Sequence, residues 1–347
     1  MRNILLIYRG QRYDDEINPR LQEYKNDNVV LVIDNKLTRK IVGYITKDYE
    51  QKIKLITIHE YINKGVVDNM KFDIIIGNPP YQLQVGPNKT QAIWHKIVEK
   101  SIKQLKDSGT MTMIHPDAWR SPGGIFESTK KLLLSKTIVS LEMFDESQGM
   151  RTFGAATPYD VYTLINEPNL DNKKTRVVGS DGVEIEKDLT NMDYIPNGSF
   201  ELFDKLIAKP TEEKAEVLYS RSIYGTDKEN MSPEEVGEFK YPCVYTTTKD
   251  GSINFWYSNI KKEHFGVPKV IWSNGMAPSV VIDKKGQYGL TQFAYAIVDK
   301  PENLEMIQKA MESKKFLELM QNSQGKNQKY NRRVISLFRK DFWKEFV

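Results

Sequence analysis

Two apolar runs near the start of the chain restrict its fold more than any other feature. Val29 to Ile33 (VVLVI) shows no alternation of polar and apolar side chains, and Phe72 to Ile76 (FDIIIG) is almost as apolar. A strand that is apolar on both faces must be covered on both, which is the situation of a parallel strand inside an α/β sheet. Their neighbours repeat the theme. Ile4 to Ile7 and Leu55 to Ile58 are further short apolar runs. Leu37 to Tyr49 has helical character, and Ile93, Ile97, Ile102 and Leu105 recur at helical spacing with Lys and Glu between them. Asp107-Ser108-Gly109 predicts a turn, and Thr110 to Ile114 a strand that ends at Pro116. A helix over Phe126 to Leu134 and strands over Ile138 to Phe144 and Tyr159 to Ile165 complete the pattern. Seven strands with helices between the early ones predict a doubly wound sheet.

The composition shifts after Asn166, where EPNLDNKKTR is polar and turn-rich. The expected domains are therefore 1–168 and 169–347, a division that 347 residues allow. VVGSDGVEIE predicts a hairpin around Asp181-Gly182, Phe200 to Lys209 a short helix, Tyr241 to Val298 a β-rich region, and Glu302 to Leu319 a helix. A single cysteine, Cys243, excludes a disulfide framework and a cysteine-cluster zinc site. The four histidines are too far apart for a spacing-based metal motif, so no metal is expected. No apolar run approaches 18 residues and no signal-peptide core is present, so the expectation is a cytoplasmic protein without a membrane partner.

The chemistry concentrates in Asn78-Pro79-Pro80-Tyr81, directly after the FDIIIG strand. The carboxyl ends of parallel strands are where open α/β sheets bind ligands. Two consecutive prolines stiffen the backbone and remove two N–H donors, which leaves carbonyls on display. An asparagine beside such carbonyls can accept hydrogen bonds from an NH₂ group, and the tyrosine ring offers a stacking surface. The set suits an exocyclic amino group on a planar base.

FDIIIGNPPYQ resembles the NPPY motif of the S-adenosylmethionine-dependent amino-methyltransferases. It is most similar to the adenine-N6 DNA methyltransferases of restriction–modification systems, in the gamma-class, TaqI-like group. The resemblance continues through QAIWHKIVEKSIKQLKDSGTMTMIHPDAW and MRTFGAATPYDVYTLI, and covers about residues 50 to 168. It implies a Rossmann-like methyltransferase sheet followed by a β-rich DNA-recognition domain. It also implies that Asn78 and the Pro79 carbonyl accept hydrogen bonds from the adenine amino group. Pro80 stiffens the motif, Tyr81 stacks on the flipped base, and Phe153 contacts its other side. For S-adenosylmethionine, the resemblance puts Glu60 on the cofactor's adenine and Asp34 on its ribose.

One segment departs from the pattern. Where the family has a Gly-rich acidic loop for the cofactor's methionine part, this chain has LLIYRGQR, with Arg9 and Gly10 in its place. Only three residues precede Ile4, so the family's upstream helical segment has no counterpart. A diverged enzyme and one completed by a partner chain both remain open, as does an impaired DNA-binding subunit on the same fold. A protein-glutamine methyltransferase also carries NPPY, but the long segment after the sheet favours double-stranded DNA. Residues 308–347 hold ten positive and four negative side chains, a surplus of six against +4 for the whole chain. Within them, Lys326, Lys329, Arg332 and Arg333 in QGKNQKYNRR are candidate phosphate and base-edge contacts. An ordinary solvated surface explains the same charges equally well. Trp272, Tyr288 and Phe293 are better candidates for core than for base stacking.

Overall fold

A computed structural model describes residues 1–8, 17–33, 53–65, 67–87, 89–169, 173–190, 192–275, 278–323 and 329–347. The chain divides into two units, Met1–Ile195 and Pro196–Val347. The predicted helix over Leu37 to Tyr49 lies outside the described residues.

The first unit is built on a nine-stranded sheet. Its strands are β1 (Asn3–Tyr8), β2 (Asn28–Ile33), β3 (Ile53–Thr57), β4 (Phe72–Asn78), β7 (Leu105–Pro116), β8 (Lys136–Phe144), β9 (Tyr159–Pro168), β10 (Thr175–Val178) and β11 (Glu184–Lys187). The order across the sheet is β11-β10-β8-β9-β7-β4-β1-β2-β3. β3, β2, β1, β4 and β7 are mutually parallel, and β9 runs antiparallel between β7 and β8. This is the doubly wound, Rossmann-like α/β sheet that the apolar runs predict. Ile4 to Ile7 and Val29 to Ile33 are buried on both faces, which explains why no alternation survives in their sequence.

Helices connect the strands: α1 (Asn18–Glu23), α2 (Ile58–Asn63), α3 (Trp94–Gln104), α4 (Glu127–Leu134) and α5 (Glu146–Phe153). α3 buries Trp94, Ile97, Val98 and Ile102 along one stripe, as its spacing predicts. The expected third strand ends one residue early, because Thr57 caps α2 and Ile58 is already helical. The expected turn at Asp107-Ser108-Gly109 is absorbed into β7. Ser108 takes a left-handed conformation there, and the pairing with β4 shifts between Phe72 and Ile74. Between β4 and α3 the chain forms a two-stranded hairpin, β5 (Gln82–Gly86) and β6 (Lys89–Ala92), which the sequence reading did not predict.

The first unit extends beyond the expected break at 168. The predicted hairpin at Asp181-Gly182 exists, but its first strand, β10, pairs with β8 and so joins the main sheet. Two buried cations then hold the segment that follows. Arg120 donates from Nε to Asp160 at 2.8 Å and from Nη1 to the Ile195 carbonyl at 3.0 Å. Trp119 Nε1 donates to the same Asp160 oxygen at 2.7 Å. Lys130 donates to the Asp193 carbonyl at 2.7 Å. Polar composition alone does not reveal such ties.

The second unit holds two four-stranded sheets. One orders β12 (Glu216–Leu218), β19 (Ala294–Val298), β16 (Lys269–Ser273) and β17 (Val281–Asp283). The other orders β13 (Met231–Ser232), β15 (Ile253–Ser258), β14 (Tyr241–Thr247) and β18 (Gly289–Leu290). This is the β-rich region expected from Tyr241 onward. The helices are α6 (Phe200–Leu206), α7 (Arg221–Tyr224), α8 (Leu304–Glu312), α9 (Lys314–Gln321) and α10 (Arg332–Ile335). The helix expected over Glu302 to Leu319 is two helices. Ser313 is extended between them, and its hydroxyl accepts from the Phe316 N–H to cap the second. Inside the unit, Lys269 and Asp283 form a fully buried ion pair at 2.7 Å. The His264 and Val267 carbonyls also accept from Lys269, and the Gln287 and Tyr288 N–H groups donate to Asp283. Trp272 is buried and Tyr288 packs on the core, as expected, whereas Phe293, which meets Tyr245 edge-on, is exposed.

Removing one partner of a buried ion pair strands the other without compensation, which typically costs about 3–5 kcal/mol. Arg120→Ala is therefore expected to destabilise the first unit by that amount in urea unfolding. A loss below about 1 kcal/mol would mean that Arg120 does not anchor the segment ending at Ile195.

Candidate active site

β4 delivers the motif to the carboxyl edge of the sheet, and its register fixes the place. Tyr8, the last residue of β1, pairs directly with Asn78, the last of β4. From β1 the chain proceeds outward to β2 and β3, then returns to lay β4 on β1's other side. The β1/β4 border is thus the point where strand order reverses, and the crevice above it is the ligand position of a doubly wound sheet. Gly77 is needed one residue earlier. A Cβ there would lie 2.6 Å from the Met113 sulfur and 3.2 Å from the Ile7 Cβ, between the two flanking strands.

Asn78 is half-buried, and its side chain makes no hydrogen bond with the described residues. Pro79 and Pro80 are buried and carry no N–H. The Tyr81 carbonyl accepts from the Ile93 N–H at 3.1 Å, which closes the base of the β5–β6 hairpin and ties the motif to the start of α3. The arrangement leaves an amide oxygen and a stiff backbone carbonyl at the crevice, with no competing donor from the motif's prolines.

The structure brings Phe153 to Tyr81. Their ring centroids are 6.1 Å apart and nearly perpendicular, at 81°. Phe153 is the final residue of α5. That helix is well specified. Asp145 and Gln148 form a reciprocal capping box at its start. Gly154 ends it in the left-handed conformation. At Gly149 a Cβ would lie 2.1 Å from the Thr157 carbonyl oxygen, so the returning chain packs directly on the helix backbone. Phe153 also meets Tyr159 edge-on at 4.9 Å, and Tyr159 stacks on Phe144 at 4.6 Å. Tyr81 and Phe153 therefore rest on a continuous aromatic support.

A second aromatic group forms around α3. Trp94 stacks on His115 at 4.2 Å. The His115 ring lies 3.1 Å from the Tyr162 hydroxyl and 3.0 Å from the Pro116 carbonyl. His115 is thus a buried structural residue.

Glu60 lies in the first turn of α2, just past the carboxyl end of β3. Its Oε2 accepts from the Thr57 N–H at 2.8 Å and the Thr57 hydroxyl at 2.9 Å, completing a capping box. This gives the expected cofactor residue a structural task at the same edge of the sheet. Arg9, Gly10, Asp34 and Lys326 lie outside the described residues. In the second unit, Arg332 stacks over the Tyr219 ring at 3.9 Å, Lys329 lies over Tyr330 at 5.1 Å, and Arg333 is exposed. Much of the surrounding positive charge is locally matched. Arg339 pairs with Asp341 and Glu345, Lys340 with Glu213, Lys344 with Asp341, and Lys314 with Glu318. Among the described residues no group of three or more His, Cys, Asp or Glu could hold a metal, and no helix is long and apolar enough to cross a membrane.

Sequence reasoning missed Tyr8 as the partner of Asn78, the Trp94–His115 stack, and the hairpin. The hairpin did leave a signal in QLQVGPNKTQ, where polar and apolar residues alternate up to a Gly-Pro-Asn turn.

Parts of the chain are similar to known proteins. Residues 4–149 match the model of the Eco57I restriction-modification methylase family. The match runs from β1 into the first half of α5 and so includes the whole NPPY segment. A Mycoplasma pneumoniae protein described as an uncharacterized adenine-specific methylase is 32% identical over 159 residues, 41% of this chain and 37% of that protein. The chain thus spans little more than a third of that relative. Among solved structures, the methyltransferase subunit of a type I restriction-modification system from Streptococcus thermophilus is 14% identical. It gives a TM-score of 0.39, with 55% of this chain and 46% of that chain covered. The M protein of the type I restriction enzyme EcoKI is 12% identical, at a TM-score of 0.38, with 60% and 55% covered.

Burial in this aromatic wall pushes the His115 imidazole from 6.5 down to about 4. The unfolded chain takes up that proton near pH 6.5 and the folded chain only near 4. The contribution of His115 is therefore complete above about pH 6.5 and declines as the pH falls toward 4, at about 1.4 kcal/mol per pH unit. His264 in the second unit is shifted the same way, also to about 4. His115→Gln is expected to remove one proton's worth of slope from the stability-versus-pH curve between pH 6.5 and 4. An unchanged slope would contradict a buried neutral His115.

Proposed function

We propose that this chain is a site-specific DNA methyltransferase of the gamma-class, TaqI-like restriction–modification type. It would transfer a methyl group from S-adenosylmethionine to the exocyclic amino group of adenine in double-stranded DNA. The observation that carries the reading is the seating of Asn78 at the β1/β4 switch point, its amide unengaged among the described residues. Beside it lie two buried prolines and the perpendicular Tyr81–Phe153 pair.

The adenine amino lone pair is delocalised into the ring and is a poor nucleophile. Asn78 Oδ1 and the Pro79 carbonyl would each accept one of the amino hydrogens. Two acceptors held out of the ring plane favour a pyramidal nitrogen with a localised lone pair. Such preorganised acceptors act without reorganising when charge develops. The nitrogen sheds one proton after transfer, and a proton already directed at neutral oxygens can pass to water. Tyr81 would stack on the extruded base, with the edge of Phe153 against it. Unstacking a base costs a few kcal/mol, and aromatic stacking returns about 1–3 kcal/mol.

When bound, S-adenosylmethionine supplies an electrophilic methyl on a sulfonium. Glu60 stands past β3 at the same edge as Asn78, and Arg9, Gly10 and Asp34 follow β1 and β2 in the chain. These residues would hold the cofactor's adenine, amino-acid part and ribose. Lys326, Lys329, Arg332 and Arg333 are proposed to contact DNA.

The test is transfer of tritiated methyl from S-adenosylmethionine to unmethylated genomic DNA. Wild-type protein is expected to label adenine. Asn78→Ala is expected to reduce transfer at least a hundredfold, while DNA affinity stays within a few fold. Label confined to protein would favour a glutamine acceptor, and an active Asn78→Ala variant would remove the catalytic assignment.

A further inference from the structure

The hairpin that follows the motif has no evident task in holding the fold together. β5 and β6 form a sheet of their own, with no third strand among the described residues. An isolated two-stranded hairpin in water is marginally stable. It nevertheless exposes apolar side chains. Leu83 is 37% exposed and Val85 51%. Leu83 pairs opposite Gln91, and the ladder shifts between Gln84 and Gly86, so Val85 sits at the irregularity. The face opposite Leu83 carries Gln82, Gln84 and Thr90, with Gln84 paired to Thr90.

The charge pattern narrows the partner. Residues 82–92 contain no Asp or Glu in a chain with 46 of them, and contain Lys89. Amide and hydroxyl side chains can both donate to and accept from base edges and sugars. Exposed aliphatic side chains act as wedges between base steps in proteins that kink or open a duplex. The hairpin is also fixed to the motif itself. Gln82 is bonded to Tyr81, and the Ile93 N–H at the far end donates to the Tyr81 carbonyl. Any force on the hairpin is thus transmitted to the residue proposed to stack on the target base.

We infer that the β5–β6 hairpin is a DNA-engaging wedge that presents Leu83 and Val85 to duplex DNA beside the target base and stabilises the gap the base leaves. The inference rests on the DNA methyltransferase reading above. In this arrangement the two aliphatic side chains fill space in the stack, and the glutamine and threonine side chains meet the groove edges. The partner is a duplex rather than a protein surface, because nothing in the segment repels phosphate.

Two measurements test it. A photo-crosslinking benzophenone amino acid is placed at position 83 of the full chain, and separately at position 139. Val139, on β8 in the same unit, is 44% exposed and serves as the control. Irradiation with unmethylated plasmid DNA is expected to crosslink position 83 and not position 139. This readout does not depend on catalysis, so it stands even if the methylation reading fails. The second is the Leu83→Ala/Val85→Ala variant, whose changes are at exposed positions. It is expected to lose about tenfold or more in kcat/KM for methyl transfer to plasmid, with affinity for S-adenosylmethionine unchanged. Absence of the crosslink at position 83 overturns the inference, as does a double variant as active as wild type. An active wild type that loses activity on Asn78→Ala but not on the double substitution would sink the wedge alone.

Discussion

The register of β4 against β1 is the constraint on which the site depends. Pairing Tyr8 with Asn78 ends both strands at the same height, on either side of the line where strand order reverses. A slip of one residue would turn every side chain on β4 to the opposite face. Gly77 protects that register, because the side chains of Met113 and Ile7 already occupy the space that a Cβ would need. The asparagine's location thus follows from apolar packing several residues upstream, where Ile4 to Ile7 and Ile75 are fully buried.

The remainder of the site is made rigid in similar ways. Pro79 and Pro80 limit the backbone after the strand, and the hydrogen bond from Ile93 to the Tyr81 carbonyl limits it again after the hairpin. Phe153 sits at the end of a helix capped at both ends and backed by Tyr159 and Phe144. Methyl transfer to an amino group is mainly a matter of placement. Such a fold suits it, because the polar acceptors and the stacking surface are held before any base arrives.

The parts visible in the sequence were those whose cause is local. Apolar runs revealed the buried strands, helical spacing revealed α3, and the strand–NPPY junction revealed the edge of the sheet. What stayed hidden depended on distant partners. The first unit runs to Ile195 because Arg120 and Lys130 reach carbonyls more than sixty residues away. The Glu60–Thr57 capping box, by contrast, is local, and the spacing of the two residues could have suggested it. The positive surplus at the end of the chain looked like one basic surface. Among the described residues Lys314, Arg339, Lys340 and Lys344 are each paired with a carboxylate, and Glu213, which lies outside the segment, could not be paired with Lys340 by reading along the chain.

The central claim is that Asn78 and its neighbours present acceptors to the amino group of a planar base in DNA. Its most direct test is nucleoside mass spectrometry of unmethylated DNA after incubation with this protein and S-adenosylmethionine. N6-methyladenine is the expected modified nucleoside. Methyl found on the cytosine amino group, or on protein with none in DNA, would contradict it.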